Sequence, residues 1–300
     1  MQRMNRRAFI GASVAATLSA AAKPAWAADS AHQIERIGLQ LYTVRAAMKT
    51  DFAGTIAKVA ATGYKEVEFA GYYDHSPKEI RELLDKDGLV APSCHVGYDV
   101  VDKKWPEALD AAKMIGHSYI ICPWIDEKQR IEPAGWKRAA DLFNKAGEAS
   151  QKEGIQFGYH NHSFEFQPAD SLGGKLPYDF LLAETDPKLV VMEMDLCWIS
   201  VAGKDPIAYF DRYPGRFPLV HVKDWVKDST HSSGYEGAMG QTVRYGGHMA
   251  DVGKGSIDWK GLFAQGDKAG IKHYFVENDE PKSAFEDIKI SYNYLRDLRF

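Results

Sequence analysis

Eight short apolar runs punctuate this chain, and an amphipathic stretch separates each from the next. The runs fall at 37–43, 66–70, 89–95, 119–123, 155–160, 189–195, 218–222 and 273–277. The stretches between and after them, at 51–62, 77–86, 105–115, 133–153, 178–185, 206–212, 257–269 and 283–298, carry helix-spaced apolar residues. Several open on Pro or Asp and close near Gly, as helix boundaries do. Short runs that alternate with helical segments predict βα units and a parallel sheet. Eight such units predict a closed (β/α)8 barrel in one domain over residues 28–300, with its functional residues at the C-terminal strand ends. An open, doubly wound sheet is the alternative. It calls for a Gly-rich phosphate turn after the first strand, and Gln40-Leu41-Tyr42-Thr43-Val44-Arg45 is not one.

The first 27 residues read as a targeting segment. Asn5-Arg6-Arg7-Ala8-Phe9-Ile10 is a twin-arginine pair ahead of an apolar run of small residues, and Ala25-Trp26-Ala27 is an Ala-x-Ala cleavage signature. The run at 11–22 is shorter than the roughly 20 residues that cross a bilayer, so the expectation is a cleaved twin-arginine signal peptide at 1–27, export of the folded protein to the periplasm, and no membrane anchor. Folding before export suits a protein that must load a metal selectively. The three cysteines, Cys94, Cys122 and Cys197, each sit within or just after an apolar run and read as buried thiols. A net charge of −4 and a pI near 6.2 offer no basic surface for a phosphate backbone, so the expected partner is a small molecule and not a nucleic acid.

Strand ends carry the chemistry. Tyr159-His160-Asn161-His162 places two imidazoles at i and i+2 at the end of the fifth run, and the next three runs end in Asp195, His221 and Glu277. Several ionisable groups converging on one rim are costly to bury together, and a divalent cation offsets that cost. Two connections are not simple: 163–175, expected as a short excursion at the barrel mouth, and the Gly-, Ser- and His-rich stretch 224–256, expected as a lid or binding loop.

Seven motifs in order, Gly38-Leu-Gln40-Leu-Tyr42, Gly63-Tyr-Lys-Glu-Val-Glu68, Tyr159-His-Asn-His162, Glu193-Met-Asp195, His221-Val-Lys223-Asp224, Gly253-Lys-Gly255-Ser-Ile-Asp258-Trp259 and Val276-Glu277, resemble the xylose isomerase-like barrel superfamily, and more closely its exported sugar phosphate isomerase/epimerase-type members. The resemblance implies one divalent metal, Mn²⁺ first with Co²⁺, Fe²⁺ or Zn²⁺ as alternatives, held by His160, Asp195, His221 and Glu277. Many relatives read Glu-Asn-His where this chain reads His160-Asn161-His162, which leaves His162 and Glu165 as alternatives to His160. The implied activity is isomerisation or epimerisation of a keto or aldehyde sugar through an enediolate, with a metal-dependent lyase or dehydratase on a keto sugar or 3-keto glycoside as the alternative and a non-catalytic sugar-binding barrel behind both. Glu277 and His162 are the expected proton-transfer groups. Lys223 is expected to meet developing negative charge, or else to pair with Asp224 or Glu193. Tyr42, Trp124 and Trp198 are expected to contact the sugar, with Glu68 and His95 orienting it or the ligands. A homo-oligomer is the expected assembly.

Overall fold

The computed structural model describes residues 32–230, 232–236 and 242–300, so the expected signal peptide at 1–27 lies outside the described residues. Eight parallel strands close into a barrel: β1 (Ile37–Gln40), β2 (Glu66–Phe69), β3 (Val90–His95), β4 (Tyr119–Cys122), β5 (Gln156–His160), β6 (Val190–Asp195), β7 (Leu219–Val222) and β8 (His273–Val276). Each predicted run holds one strand. The first strand stops at Gln40 because its side-chain oxygen accepts from the Tyr42 amide at 3.0 Å and turns the chain into a 3-10 turn, Leu41–Val44. Helices pack outside, and their ends follow local chemistry. Ser76 and Glu79 form a capping box ahead of Pro77–Asp87, and Gly88 ends that helix with a left-handed φ of 66°. The expected helix at 257–269 is instead two short ones, Trp259–Phe263 and Gly266–Ala269. Four further helices, Arg45–Thr50, Tyr98–Lys103, Glu127–Arg130 and Leu196–Val201, lie outside the predicted stretches.

The two faces of the barrel strands have different tasks. Leu39, Val67, Cys94, Ile120, Phe157, Tyr159, Met192, Val220 and Val276 face the helices in the main apolar core. On the inner face a separate plug of Tyr119, Ile121, Val191, Leu219 and Phe275 fills the lower barrel. Gly38 and Gly158 make room for it, since a Cβ on either would come within 2.5 Å of Phe275 or 2.6 Å of Ile121. One step up on the same inner face the residues turn polar: Gln40, Glu68, Ser93, His95, His160, Glu193 and His221. A register shift between β2 and β3, where Glu66 pairs with Val90 and Glu68 with Ser93, lies beside Pro92. Pro has no N–H for a ladder, so the extra residue is accommodated there, and Ser93 and His95 turn inward.

The expected loop at 224–256 is largely a β-ribbon. Asp224–Val226 pairs antiparallel with His248–Ala250, and Ser232–Glu236 with Thr242–Gly246. Its Trp225, Tyr245 and Met249 bury against Cys197 and Trp198, and the Tyr245 hydroxyl donates to Glu280 beyond β8 at 2.7 Å. Asp224 fixes the base: its carboxylate accepts from the amides of Trp225, Gly253, Gly255 and Ile257 and from the Trp259 indole, at 2.9–3.3 Å. The stretch at 163–175 holds two 3-10 turns, Phe164–Phe166 and Asp170–Leu172. All three cysteines are buried and free, with burial pushing the Cys94 and Cys122 thiols up to about 12. No helix among the described residues is long and apolar enough to cross a membrane.

Candidate functional site

Parallel pairing brings the strand ends to one level: His160 sits opposite Glu193, and Asp195 opposite His221. Asp195 begins the helix Leu196–Val201, and its Oδ1 caps the Cys197 and Trp198 amides at 2.9 and 2.8 Å. Only Oδ2 remains to face the barrel axis, 3.0 Å from Lys223 Nζ. Asn161 staples the two strand ends, accepting from the Asp195 amide at 3.2 Å.

Lys223 is almost fully buried. Its ammonium meets Glu277 at 2.7 Å and Asp279 at 2.6 Å as well as Asp195, and lies 5.2 Å from the Trp198 ring centre. The expected pairing with Asp224 or Glu193 is therefore corrected: Asp224 is spent on the ribbon, and Glu193 points at histidines. Burial would raise the Glu277 pKa, but Lys223 and His221 outweigh it and hold the carboxyl well below its usual range. Burial wins at Asp279, pushed up to about 7 despite Lys223.

Deeper on the same face, His221 bridges two sets of carboxylates. Its Nδ1 lies 2.9 Å from Glu277, and its Nε2 lies 2.7 Å from Glu68 and 3.3 Å from Glu193. Glu68 is itself fixed by Gln40 at 2.8 Å and Ser93 at 2.5 Å. His95 Nε2 approaches Glu193 at 2.7 Å and Glu68 at 3.3 Å. Burial pushes the His95 imidazolium down, yet those two carboxylates prevail and bring its pKa to about 9. His160 is the opposite case. Burial, then His221, His162 and His95, keep it well below the ordinary imidazole value.

His162 lies just past the end of β5. Its ring is perpendicular to His160 at 5.1 Å and to Trp124 at 4.8 Å, and stacks 6.1 Å from Trp198. Its Nδ1 is buried with no hydrogen-bond partner. Glu165 does not reach this cluster: it accepts from Tyr159 Oη at 2.7 Å and from the His162 amide at 2.9 Å, and so props the loop instead of ligating. Tyr42 lies half-buried on the turn after β1 under the Arg45 guanidinium, which also donates to the Asp279 carbonyl.

The donors suit a cation. One donor atom from each of Asp195, His221 and Glu277 lies within 4.8 Å of the others, and the same holds for His95, His160, Glu193 and His221. His160 Nδ1 and Glu193 Oε1 are buried and without hydrogen-bond partners, the condition that metal coordination relieves. Sequence reasoning missed Glu193 and Asp279 as site members. Both stand two residues from a recognised strand-end residue, Asp195 and Glu277, so the spacing rule used for the histidine pair would have found them.

A family model described as xylose isomerase-like TIM barrel matches residues 56–298. Inosose dehydratase of Lacticaseibacillus casei is 24% identical over 254 residues, covering 78% of this chain and 83% of that protein. The inosose dehydratase of Geobacillus thermodenitrificans is 25% identical over 256 residues, with 78% and 83% covered. The solved structure of a sugar phosphate isomerase/epimerase from Parabacteroides distasonis is similar with a TM-score of 0.73 at 25% identity, covering 90% of this chain and 98% of that one.

Proposed function

The chain belongs to the xylose isomerase-like TIM barrel family, and from that premise we propose a divalent-metal-dependent enzyme that moves the proton beside the carbonyl of a keto or aldehyde sugar. The observation that carries the reading is one buried assembly: Asp195, His221 and Glu277 converge, with Lys223 within 3.0 Å of both carboxylates. In this reading those three, with His160, would hold the cation. Mn²⁺ suits so carboxylate-rich a trio, with Co²⁺, Fe²⁺ or Zn²⁺ as alternatives. When bound, such a cation polarises a carbonyl and lowers the cost of negative charge on its oxygen.

The chain's own groups supply the rest. His162 carries a buried ring nitrogen without a hydrogen-bond partner beside two indole walls, so it serves as the base that accepts the carbon-bound proton. Lys223 holds its ammonium where negative charge grows on the substrate oxygens. Trp124 and Trp198 give flat faces for a sugar ring, Tyr42 closes the opposite side, and Glu68 and His95 fix orientations from below.

Returning the proton to carbon gives isomerisation or epimerisation, and expelling a β-substituent gives elimination. Replacement of the family's strand-five glutamate by His160 favours elimination, because the symmetric pair of carboxylates that serves reversible epimerisation is reduced to Glu277 alone. The named activity of the inosose dehydratase relatives is of the same type. Mass analysis of products from keto sugars and 3-keto glycosides decides between them. An isomer keeps the substrate mass, elimination loses water or an aglycone, and no conversion of any such substrate would sink the enzymatic reading in favour of a sugar-binding barrel.

Residues 1–27 are proposed as a twin-arginine signal that sends the folded barrel of residues 28–300 to the periplasm, on the strength of Arg6-Arg7 and Ala25-Trp26-Ala27. Replacing Arg6-Arg7 by Lys-Lys should leave the protein uncleaved in the cytoplasm. A homo-oligomer is proposed with it, and the solution mass reads that directly.

A further inference from the structure

Three carboxylates meet at one ammonium, and two of them belong to the proposed cation site. Lys223 Nζ lies 3.0 Å from Asp195 Oδ2, 2.7 Å from Glu277 Oε2 and 2.6 Å from Asp279 Oδ2. Asp195 and Glu277 converge with His221 as donors, and Asp279 stands outside that group. All four of these charged side chains are buried, so water offers the ammonium no substitute partner. A divalent cation that draws on the charge of Asp195 and Glu277 also repels Lys223. The ammonium then needs a carboxylate outside the ligand set, because a buried charge left without a partner is costly.

Asp279 is held in place by contacts that involve none of the proposed ligands. Its carbonyl accepts from Arg45 Nη2 at 2.8 Å, while Arg45 Nη1 donates to the Tyr42 carbonyl at 2.8 Å. The Asn278 amide donates to Thr43 Oγ1 at 2.9 Å, and the Glu280 amide to Asn278 Oδ1 at 2.9 Å. The segment after β8 is thus pinned to the turn after β1, independently of the Glu277 side chain. Asp195 is fixed from the other side, where its Oδ1 caps the Cys197 and Trp198 amides. Neither Asp195 Oδ2 nor Asp279 Oδ2 has a hydrogen-bond partner. Lys223 therefore meets both oxygens as an ion pair, and its ammonium can lean from one to the other without breaking a directed bond.

We propose that Asp279 is the positioning residue of Lys223: the ammonium balances Asp195 and Glu277 in the metal-free protein, and Asp279 takes it over when a divalent cation binds those two. This rests on the proposed cation site and adds to it a carboxylate that does not ligate. With Asp279 present, Lys223 keeps a buried partner and remains beside the substrate. Without it, the ammonium stays on the two ligands and competes with the cation for them.

The test is a double-mutant cycle on Mn²⁺ affinity, read by equilibrium dialysis of the metal-stripped full chain at pH 7.5. Asp279→Asn should weaken Mn²⁺ binding about tenfold or more beyond the weakening that it causes in the Lys223→Met background. Lys223→Met alone should bind Mn²⁺ more tightly than wild type, and Asp279→Glu, which keeps the carboxylate, should stay within about threefold of wild type. Metal-free circular dichroism and thermal unfolding show which variants fold. Lys223→Gln stands in for a Lys223→Met that does not, and if neither folds the contrast between Asp279→Asn and Asp279→Glu decides. Equal weakening by Asp279→Asn in both backgrounds would overturn the handover, since Asp279 would then act on the cation by its own charge. Weaker Mn²⁺ binding in Lys223→Met, or Asp279→Glu no better than Asp279→Asn, would overturn it too. Those results leave the cation site standing, whereas a wild type that binds none of Mn²⁺, Co²⁺ and Zn²⁺ would remove the site and this inference together.

Discussion

Lys223 sets its ammonium among Asp195, Glu277 and Asp279, and its removal takes from three buried carboxylates the charge they share. Lys223→Met should cost about 3–5 kcal/mol of stability, read by urea unfolding of the metal-free protein; a loss under about 1 kcal/mol would contradict the pairing. His162 makes a different prediction. Burial, and then Lys223, depress its pKa well below the ordinary 6.5, so it stays an unprotonated base to lower pH than a free imidazole. The acid limb of kcat/KM should therefore lie below pH 6.5, and His162→Asn should lower kcat by about 100-fold or more. An acid limb at or above 6.5, or an unchanged kcat, would remove His162 from the reaction. At this scale the sequence disclosed His160, Asp195, His221 and Glu277 because each terminates an apolar run. Glu193 shares a strand face with Asp195 two residues on, a spacing that marks it, but inside its run a lone carboxylate reads as an interruption and it was passed over. The partners of Lys223 come from strands six and eight, which no local spacing reveals.

Among the elements, the ribbon after β7 depends on one side chain. Asp224 serves four amides and an indole, and Gly255 is glycine because a Cβ there would come 2.0 Å from Asp224 Oδ1. Asp224→Ala leaves several of those donors unmet and should cost about 3 kcal/mol or more. Hydrogen exchange should then quicken through 224–226 and 248–250; unchanged protection there would contradict the anchoring role. Such a ribbon is hard to read from sequence. Gly, Ser and His dominate it, no period-2 apolar pattern runs through it, and its order comes from Trp225, Tyr245 and Met249 packing on Trp198. The barrel strands were legible because the outward face of each is apolar. The Leu41–Val44 turn was not, since Gln40 ends β1 with a side-chain hydrogen bond inside an unbroken apolar run.

For the molecule as a whole, the inner face of the barrel divides an apolar plug from a polar layer, and His117 outside it sets part of the acid limit. His117 Nδ1 lies 2.6 Å from the Ala91 carbonyl and Nε2 3.0 Å from Tyr72 Oη, the neutral tautomer with both nitrogens used. Burial lowers its pKa to about 4, so between pH 6.5 and 4 the unfolded chain takes up a proton that the folded one refuses. The stabilisation is complete above pH 6.5 and is lost as pH falls to about 4, on the order of 3 kcal/mol. Compared with His117→Gln, wild type should lose about that much more between pH 7 and 4, and parallel stability curves would contradict this. Barrel closure was legible from the count of eight alternating units. The polar layer was legible only at its rim, because which inner residues meet across the barrel depends on register, including the shift beside Pro92.

The central claim is that this polar layer moves a proton next to a sugar carbonyl. Its most direct measurement is NMR in D₂O of a keto sugar or 3-keto glycoside with the metal-loaded protein and with His162→Asn. Deuterium entering at the carbon beside the carbonyl, or loss of that proton with elimination, is predicted for wild type and should slow by about 100-fold in the variant. Retention of that hydrogen across the substrate panel, with metal bound, would contradict the account.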